Sequence, residues 1–156
     1  MMNRMHLQDR YRDEAWAMEQ FEAAEYACVA VNGEDGAPYN VPLCVVCIGD
    51  ALCLHTALEG LAVDLFRRDG RACASCTTYT LRDPEHTTLL FRSAMAFGVI
   101  SEVTDIEEKR KIMSRYFEKY LPGDEQAEAY AVRASTRAAV WRLDVREAVG
   151  KENKAE

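Results

Sequence analysis

The stretch AEYACVAVNGEDGAPYNVPLCVVCIGDALCLHTALEG, residues 24–60, decides the fold. Tyr26–Val31 is a continuous apolar run, too short for a helix before the turn at Asn32–Gly36, and it reads as a buried strand. Within that turn Asp35-Gly36 is a strong hairpin signal, because glycine reaches positive φ without steric cost. The next strand spans about Tyr39–Ile48. Pro42 inside it has no N–H to give, which marks an edge, a bulge or a missing ladder bond. Gly49-Asp50 closes a second tight hairpin into Ala51–Thr56. The stretch therefore predicts three antiparallel strands in series.

Residues 13–24 before it form a helix capped by Asp13, with Ala15, Met18 and Phe21 on one face. After it, residues 59–69 read as a short helix ending at Gly70, with Leu61 and Leu65 on one face. Arg71–Thr80 is a fourth strand, LRDPEH a loop, and Thr88–Val103 a long strand bent near Gly98. Thr104-Asp-Ile-Glu107 is a capping box that opens a helix ending at Pro122-Gly123. Its inner face is Ile106, Met113, Tyr116, Phe117 and Tyr120. A further helix covers about 124–134. Ala138–Val145 is the last strand, followed by a polar tail. The order α, βββ, α, ββ, αα, β predicts a mainly β, α+β fold, an antiparallel barrel with peripheral helices. A parallel sheet would need a helix between every pair of strands.

The 156 residues suit one domain over 1–156, with 1–12 and 152–156 as flexible tails. A net charge of −7 disfavours nucleic acid and anionic membrane surfaces, though one local basic cluster suffices for a small anion. No run approaches the length of a transmembrane helix, and MMNRMHLQDRYRDE lacks the apolar core of a signal peptide. These features predict a cytoplasmic protein with reduced cysteines.

Cys44-x-x-Cys47 and Cys73-x-x-Cys76 have the spacing of a zinc ribbon. Both lie in predicted strands, where residues three apart point to opposite faces, so they read first as small core residues. Zinc and redox thiols are the alternatives. His6, His55 and His86 are scattered, and no phosphate-binding, dinucleotide-binding or hydrolase motif is present. Glu59-Gly60 precedes a helix whose free N–H groups suit an anion, with Arg67, Arg68 and Arg71 downstream. The same residues also make an ordinary solvated helix after a turn, and His55 an ordinary strand-end histidine.

A helix ending in AEY, the hairpin DGAPYNVPL, the strand end HTALEG, the later RSAMAFG, the helix TDIEEKRKIM and the terminal VGK resemble the flavin-binding split-barrel proteins. These include the pyridoxamine-phosphate-oxidase-like group, and the likeness is to its nitroimidazole-resistance (NimA-type) subfamily. It spans about residues 13–151. The resemblance implies a homodimer of six-stranded split barrels with flavin mononucleotide (FMN) at the interface, cycling electrons from a small reduced donor to a small acceptor. The ring would lie along the strand carrying Tyr39, Val41, Pro42, Leu43, Cys44 and Val45. His55 would be the catalytic residue beside it. Thr56, Glu59 and Gly60 would line the phosphate end, with Ser93 and Arg68 as further phosphate contacts. The family commonly reads EGxK, whereas Glu59-Gly60-Leu61-Ala62 puts alanine where a phosphate-pairing lysine stands. Losing that cation weakens phosphate binding by roughly 1–3 kcal/mol unless Arg67, Arg68 or Arg92 replaces it. The alternative is a non-catalytic barrel holding haem or another flavin-like cofactor.

Overall fold

A computed structural model describes residues 8–154; His6 and the outer parts of the expected tails, 1–7 and 155–156, lie outside the described residues. In chain order the elements are a 3-10 turn at Gln8–Arg10, β1 (Tyr11–Arg12), α1 (Glu14–Ala23), β2 (Ala27–Asn32), β3 (Pro38–Leu43), β4 (Val46–Ile48), β5 (Ala51–Thr56), α2 (Leu61–Arg68), β6 (Arg71–Asp83), β7 (Thr88–Glu102), α3 (Ile106–Tyr120), α4 (Ala127–Arg137) and β8 (Ala139–Asn153).

The strands form one antiparallel sheet in the order β3-β2-β6-β7-β8-β5-β4, with β1 added to β8. β3 and β4 lie at opposite ends of this path, yet only Cys44 and Val45 separate them in the chain. The sheet must therefore curl until its edges meet. The strand expected over Tyr39–Ile48 is thus broken in two. Its first half pairs with β2 and its second with β5. Counted as one interrupted strand, it completes the expected six-stranded split barrel.

Two cores follow from the alternation of side chains. Val29, Val31, Leu52, Leu54, Ala74, Ala96, Trp141 and Leu143 fill the barrel, plugged by Phe21 of α1 and by Leu65 and Phe66 of α2. Alanines on β6 and β7 leave room for these rings, and Phe66 meets Trp141 edge-on at 5.1 Å. The opposite side of β4, β5 and β8 contributes Val46, Cys53 and Val140. These pack under Ile112 and Met113 of α3 and Ala131 of α4.

Several boundaries differ from expectation. The final strand does not stop at Val145 but runs to Asn153, because β7 supplies partners for Val145 and, past a bulge at Arg146, for Glu147 through Asn153. Tyr11 and Arg12 pair with Lys151 and Gly150, so the inner ends of both expected tails are sheet. Glu152 is buried despite its charge, held by Arg12 at 2.8 Å and Arg92 at 2.9 Å. β6 continues to Asp83, through the first half of the expected loop. α3 is capped one residue later than expected, by Asp105, which accepts from Glu108 N at 2.8 Å. α4 begins three residues later than expected, after turns at Leu121–Asp124 and Asp124–Ala127. Asp13 caps α1 as expected, but the helix buries Ala17, Gln20 and Phe21 rather than Ala15. At Gly98 the β7–β8 register shifts, and a Cβ there would sit 2.0 Å from Asp144 O. Only glycine permits that approach.

Candidate functional site

The break between β3 and β4 organises the site. Tyr39, Val41 and Leu43 turn inward against the barrel core, while Asn40 and Pro42 are exposed. One edge of β3 faces β2 and the other faces no strand. At the break, α3 satisfies the backbone. Tyr120 Oη accepts from Val45 N at 2.9 Å and donates to Glu25 O at 2.7 Å. Lys119 Nζ donates to Val45 O at 2.8 Å and to Phe21 O at 3.2 Å. Val45, expected among the ring contacts, is instead wholly buried with its N–H and C=O both engaged. A cavity of about 560 Å³ opens at this point, lined by Glu22, Glu25, Tyr26, Cys44, Lys119 and Tyr120.

His55 projects from β5 toward α3, opposite the barrel interior. Its ring meets Tyr116 edge-on, 4.6 Å between centroids, and the tyrosine hydroxyl pairs with the Cys44 thiol. His55 Nδ1 is buried with no hydrogen-bond partner. Burial lowers the imidazole pKa, so the ring is neutral near pH 7. Burial raises the phenol of Tyr116, with the Cys44 thiol adding to it, and pushes that of Tyr120 up to about 12. It lowers the Lys119 ammonium.

The turn after β5 places a glycine at positive φ between exposed leucines. Gly60 has φ 133° and caps α2 with its carbonyl, which accepts from Asp64 N at 3.1 Å. Leu58 and Leu61 are 51% and 56% exposed. Thr56 is already engaged, accepting from Trp141 Nε1 at 2.9 Å and donating to Ala57 O at 2.9 Å. Ala62 packs against the main core.

The arginines are engaged elsewhere. Arg67 forks onto Glu102 at 2.8 and 3.1 Å. Arg92 binds Glu152. Arg68 donates to Asn32 O at 2.8 Å, at the opposite end of α2 from Gly60. An eight-residue helix puts those ends about 12 Å apart, so Arg68 and Glu59-Gly60 are not brought together.

Ser93 lies on the outward face of β7, in register with Thr77 of β6 and Lys151 of β8. With Tyr26, Cys28, Ser75, Thr77 and Met95 it lines a hollow of about 330 Å³. Pro42 is in register with Cys28, and Cys28 with Ser75, so β3, β2, β6 and β7 share this outward surface. Tyr26 lines both hollows, which therefore adjoin. His55, in contrast, pairs with Val140, eleven positions before Lys151 on β8. A straight strand of that length would span about 36 Å. Tyr116 thus links His55 to the Cys44 side of the β3–β4 break, while Ser93 lines the neighbouring hollow on the outward face.

All six cysteines are free thiols. Burial pushes Cys47 up to about 12, with nearby Glu22 adding to it, and pushes Cys53 and Cys76 up to about 11. Cys73 and Cys76 face opposite sides of β6. Among the described residues, no three His, Cys, Asp or Glu side chains gather as a metal site needs. Among them, too, no helix is long and apolar enough to cross a membrane. A further cavity of about 410 Å³ near Arg10, Arg12 and His86 contains none of the expected site residues.

Sequence reasoning placed Tyr116 and Tyr120 only on an inner helix face and did not single out Lys119. The available signal was their polar tips at i, i+3 and i+4 on a face otherwise built for packing.

Comparison with solved structures places the fold. A candidate 5-nitroimidazole antibiotic resistance protein from Bacteroides thetaiotaomicron is 25% identical, with a TM-score of 0.77 over 90% of this chain and 84% of that one. The flavocytochrome Anf3 from Azotobacter vinelandii is 18% identical, TM-score 0.78, over 97% of this chain and 72% of that one. An FAD and heme binding protein from Mycobacterium smegmatis is 18% identical, TM-score 0.77, over 94% and 74%. Among proteins with curated descriptions, none matches in sequence. The family model for pyridoxamine 5'-phosphate oxidase matches residues 12–152. The chain belongs to that family.

Proposed function

We propose that this protein is a flavin-binding oxidoreductase that works as a homodimer, moving electrons between a small reduced donor and a small electrophilic acceptor. One observation carries the reading: a neutral His55 with an unpartnered Nδ1, fixed by Tyr116 beside an edge strand. Relatives that bind flavins on the same fold support it. A flavin supplies the redox chemistry when bound. The chain's own part is to bind and orient it and to manage a proton. A neutral imidazole can accept a proton at one nitrogen or donate a hydrogen bond from the other. Pro42 and Asn40 leave the outer side of β3 open to a planar ring, with Tyr39, Val41 and Leu43 anchoring the strand from inside.

The unpaired outer edge of β3, beside the hollow that holds Cys28 and Ser93, suits a site completed by a second copy. Met95, 41% exposed on the same outward surface as Ser93, suits that interface. A nitroaromatic acceptor is the finer reading, by analogy with the Bacteroides protein. A second reading, a non-catalytic barrel holding haem, is favoured by the Mycobacterium smegmatis relative that binds both groups.

Native mass spectrometry with an absorption spectrum tests the proposal. A dimer carrying one flavin per chain, together with loss of turnover but not of fold in His55→Ala, is the expected result. A monomer that stays colourless in the presence of riboflavin and FMN overturns it. A Soret band selects the haem reading.

A further inference from the structure

Among the described residues, three buried side-chain nitrogens lack a hydrogen-bond partner: His55 Nδ1, Arg110 Nε and Arg10 Nε. His55 belongs to the site above, and the Arg110 guanidinium is anchored by Nη1, which donates to Glu107 at 2.6 Å. Arg10 differs. It is half-buried and forms no ion pair with any described carboxylate. A buried donor left unmade is costly, and more so when the group carries charge.

Arg10 lines the cavity of about 410 Å³ that also takes in Thr88 and the exposed Lys154. These three come from the 3-10 turn, the start of β7 and the residue after β8. Arg12 Nη1 donates to Asp9 O at 3.2 Å and so pins the turn that carries Arg10. Thr88 Oγ1 accepts from Asn153 Nδ2 at 3.3 Å, which leaves its own proton to donate. Two of the cavity's carboxylates are already engaged. Glu152 is held by Arg12 and Arg92, and Asp83 meets His86 Nδ1 at 2.8 Å and accepts from His86 N at 3.2 Å. Asp9 is exposed and unpaired with Arg10. With Arg92 behind Glu152, the cations Arg10, Arg12, Arg92 and Lys154 outnumber the carboxylates Asp9, Asp83 and Glu152 by one.

We infer that this cavity is an anion site, separate from the proposed flavin site, that takes a phosphate group, either free or as a small monoester. Arg10 supplies charge-assisted hydrogen bonds, one of them from Nε. Lys154 adds a second charge from the solvent side, and Thr88 a hydroxyl. A tetrahedral dianion accepts from several directions at once, whereas a carboxylate is satisfied by one guanidinium fork. No residue of the flavin proposal lines this cavity, so the two stand or fall separately.

Nuclear magnetic resonance titration of the nitrogen-15-labelled full chain tests it, read at the Arg10 Nε–H and the Thr88 amide. The probes are inorganic phosphate, glycerol 3-phosphate, acetate and chloride, at constant ionic strength. The expected result is a saturable shift with half-saturation at about 1 mM for the phosphates, with acetate weaker by about tenfold. The phosphate that binds tighter identifies the source, and either supports the site. Arg10→Gln should abolish the saturation at Thr88, and Lys154→Gln, at an exposed position, should weaken binding about threefold. Shifts that grow linearly, that chloride reproduces, or that acetate matches at equal concentration overturn the inference. So does an Arg10→Gln variant that folds and binds phosphate like the unaltered chain. If that variant does not fold, unchanged phosphate affinity in Lys154→Gln overturns it instead.

Discussion

Replacing His55 with glutamine isolates the protonation state of the imidazole. In the folded chain the ring lies against Tyr116, and burial lowers its pKa below the ordinary 6.5. The unfolded chain therefore takes up the proton first as pH falls. The stability gained from a neutral ring is full above the unfolded pKa and is lost as pH drops through it. The loss ends only when the folded ring protonates as well. With 6.5 for the unfolded ring, the ceiling on this loss between about pH 7.5 and about pH 5.5 is about 1.4 kcal/mol. That ceiling is reached if the folded ring stays neutral throughout. Glutamine keeps a polar side chain but does not titrate. His86 is exposed and paired with Asp83 in both proteins, so its contribution cancels in the difference. Urea unfolding of the two proteins at the two pH values gives the double difference. The unaltered protein should lose more stability on acidification than His55→Gln, by up to that ceiling. Parallel losses, or a larger loss in the variant, would refute the claim that His55 is held neutral.

Tyr120→Phe removes the acceptor for the wholly buried Val45 N–H and the donor to Glu25 O. It should cost about 1–3 kcal/mol in urea unfolding, with faster amide exchange at Val45; unchanged exchange there would sink the assignment. Gly98→Ala forces a Cβ against Asp144 O at the β7–β8 register shift. It should lower stability by about 1–3 kcal/mol, and a thermal midpoint equal to that of the unaltered protein would show that the bend is not fixed by this contact.

Much of the barrel was legible because its strands are joined by turns with strong local chemistry. Asp35-Gly36 and Gly49-Asp50 mark both hairpins, and Pro42 marks the edge strand. The long final strand was not legible. Arg146, Glu147, Lys151 and Glu152 look like a solvated tail in isolation, and only pairing with β7 and the flanking Arg12 and Arg92 makes them sheet. The break at Cys44-Val45 was hidden for the opposite reason. Both residues have strand-like composition, and the interruption comes from the sheet closing on itself, with side chains some 75 positions later holding the backbone. The candidate site divides the same way. His55 and Gly60 stand out locally. The partners that give them meaning do not: Tyr116 comes from a distant helix, and the carboxylates that occupy Arg67 and Arg92 come from β7 and β8.

These long-range contacts make α3 the element that sets the site. Tyr116 fixes His55, while Lys119 and Tyr120, within the next turn of the same helix, hold the backbone where β3 gives way to β4. The histidine and the edge strand proposed to face the ring are therefore positioned by one rigid body rather than by two loops. α3 is in turn seated by Ile112 and Met113 on the second core, beneath α4. A change that loosens that core should move His55 and the β3 edge together, although neither contributes to it directly. The barrel interior can then be optimised for stability, as its tightly packed Phe21, Phe66 and Trp141 indicate. α3, outside the barrel, holds the geometry on which the proposed flavin site depends. α1 and α2 thus plug the barrel, whereas α3 lies outside it and positions the residues of the proposed site.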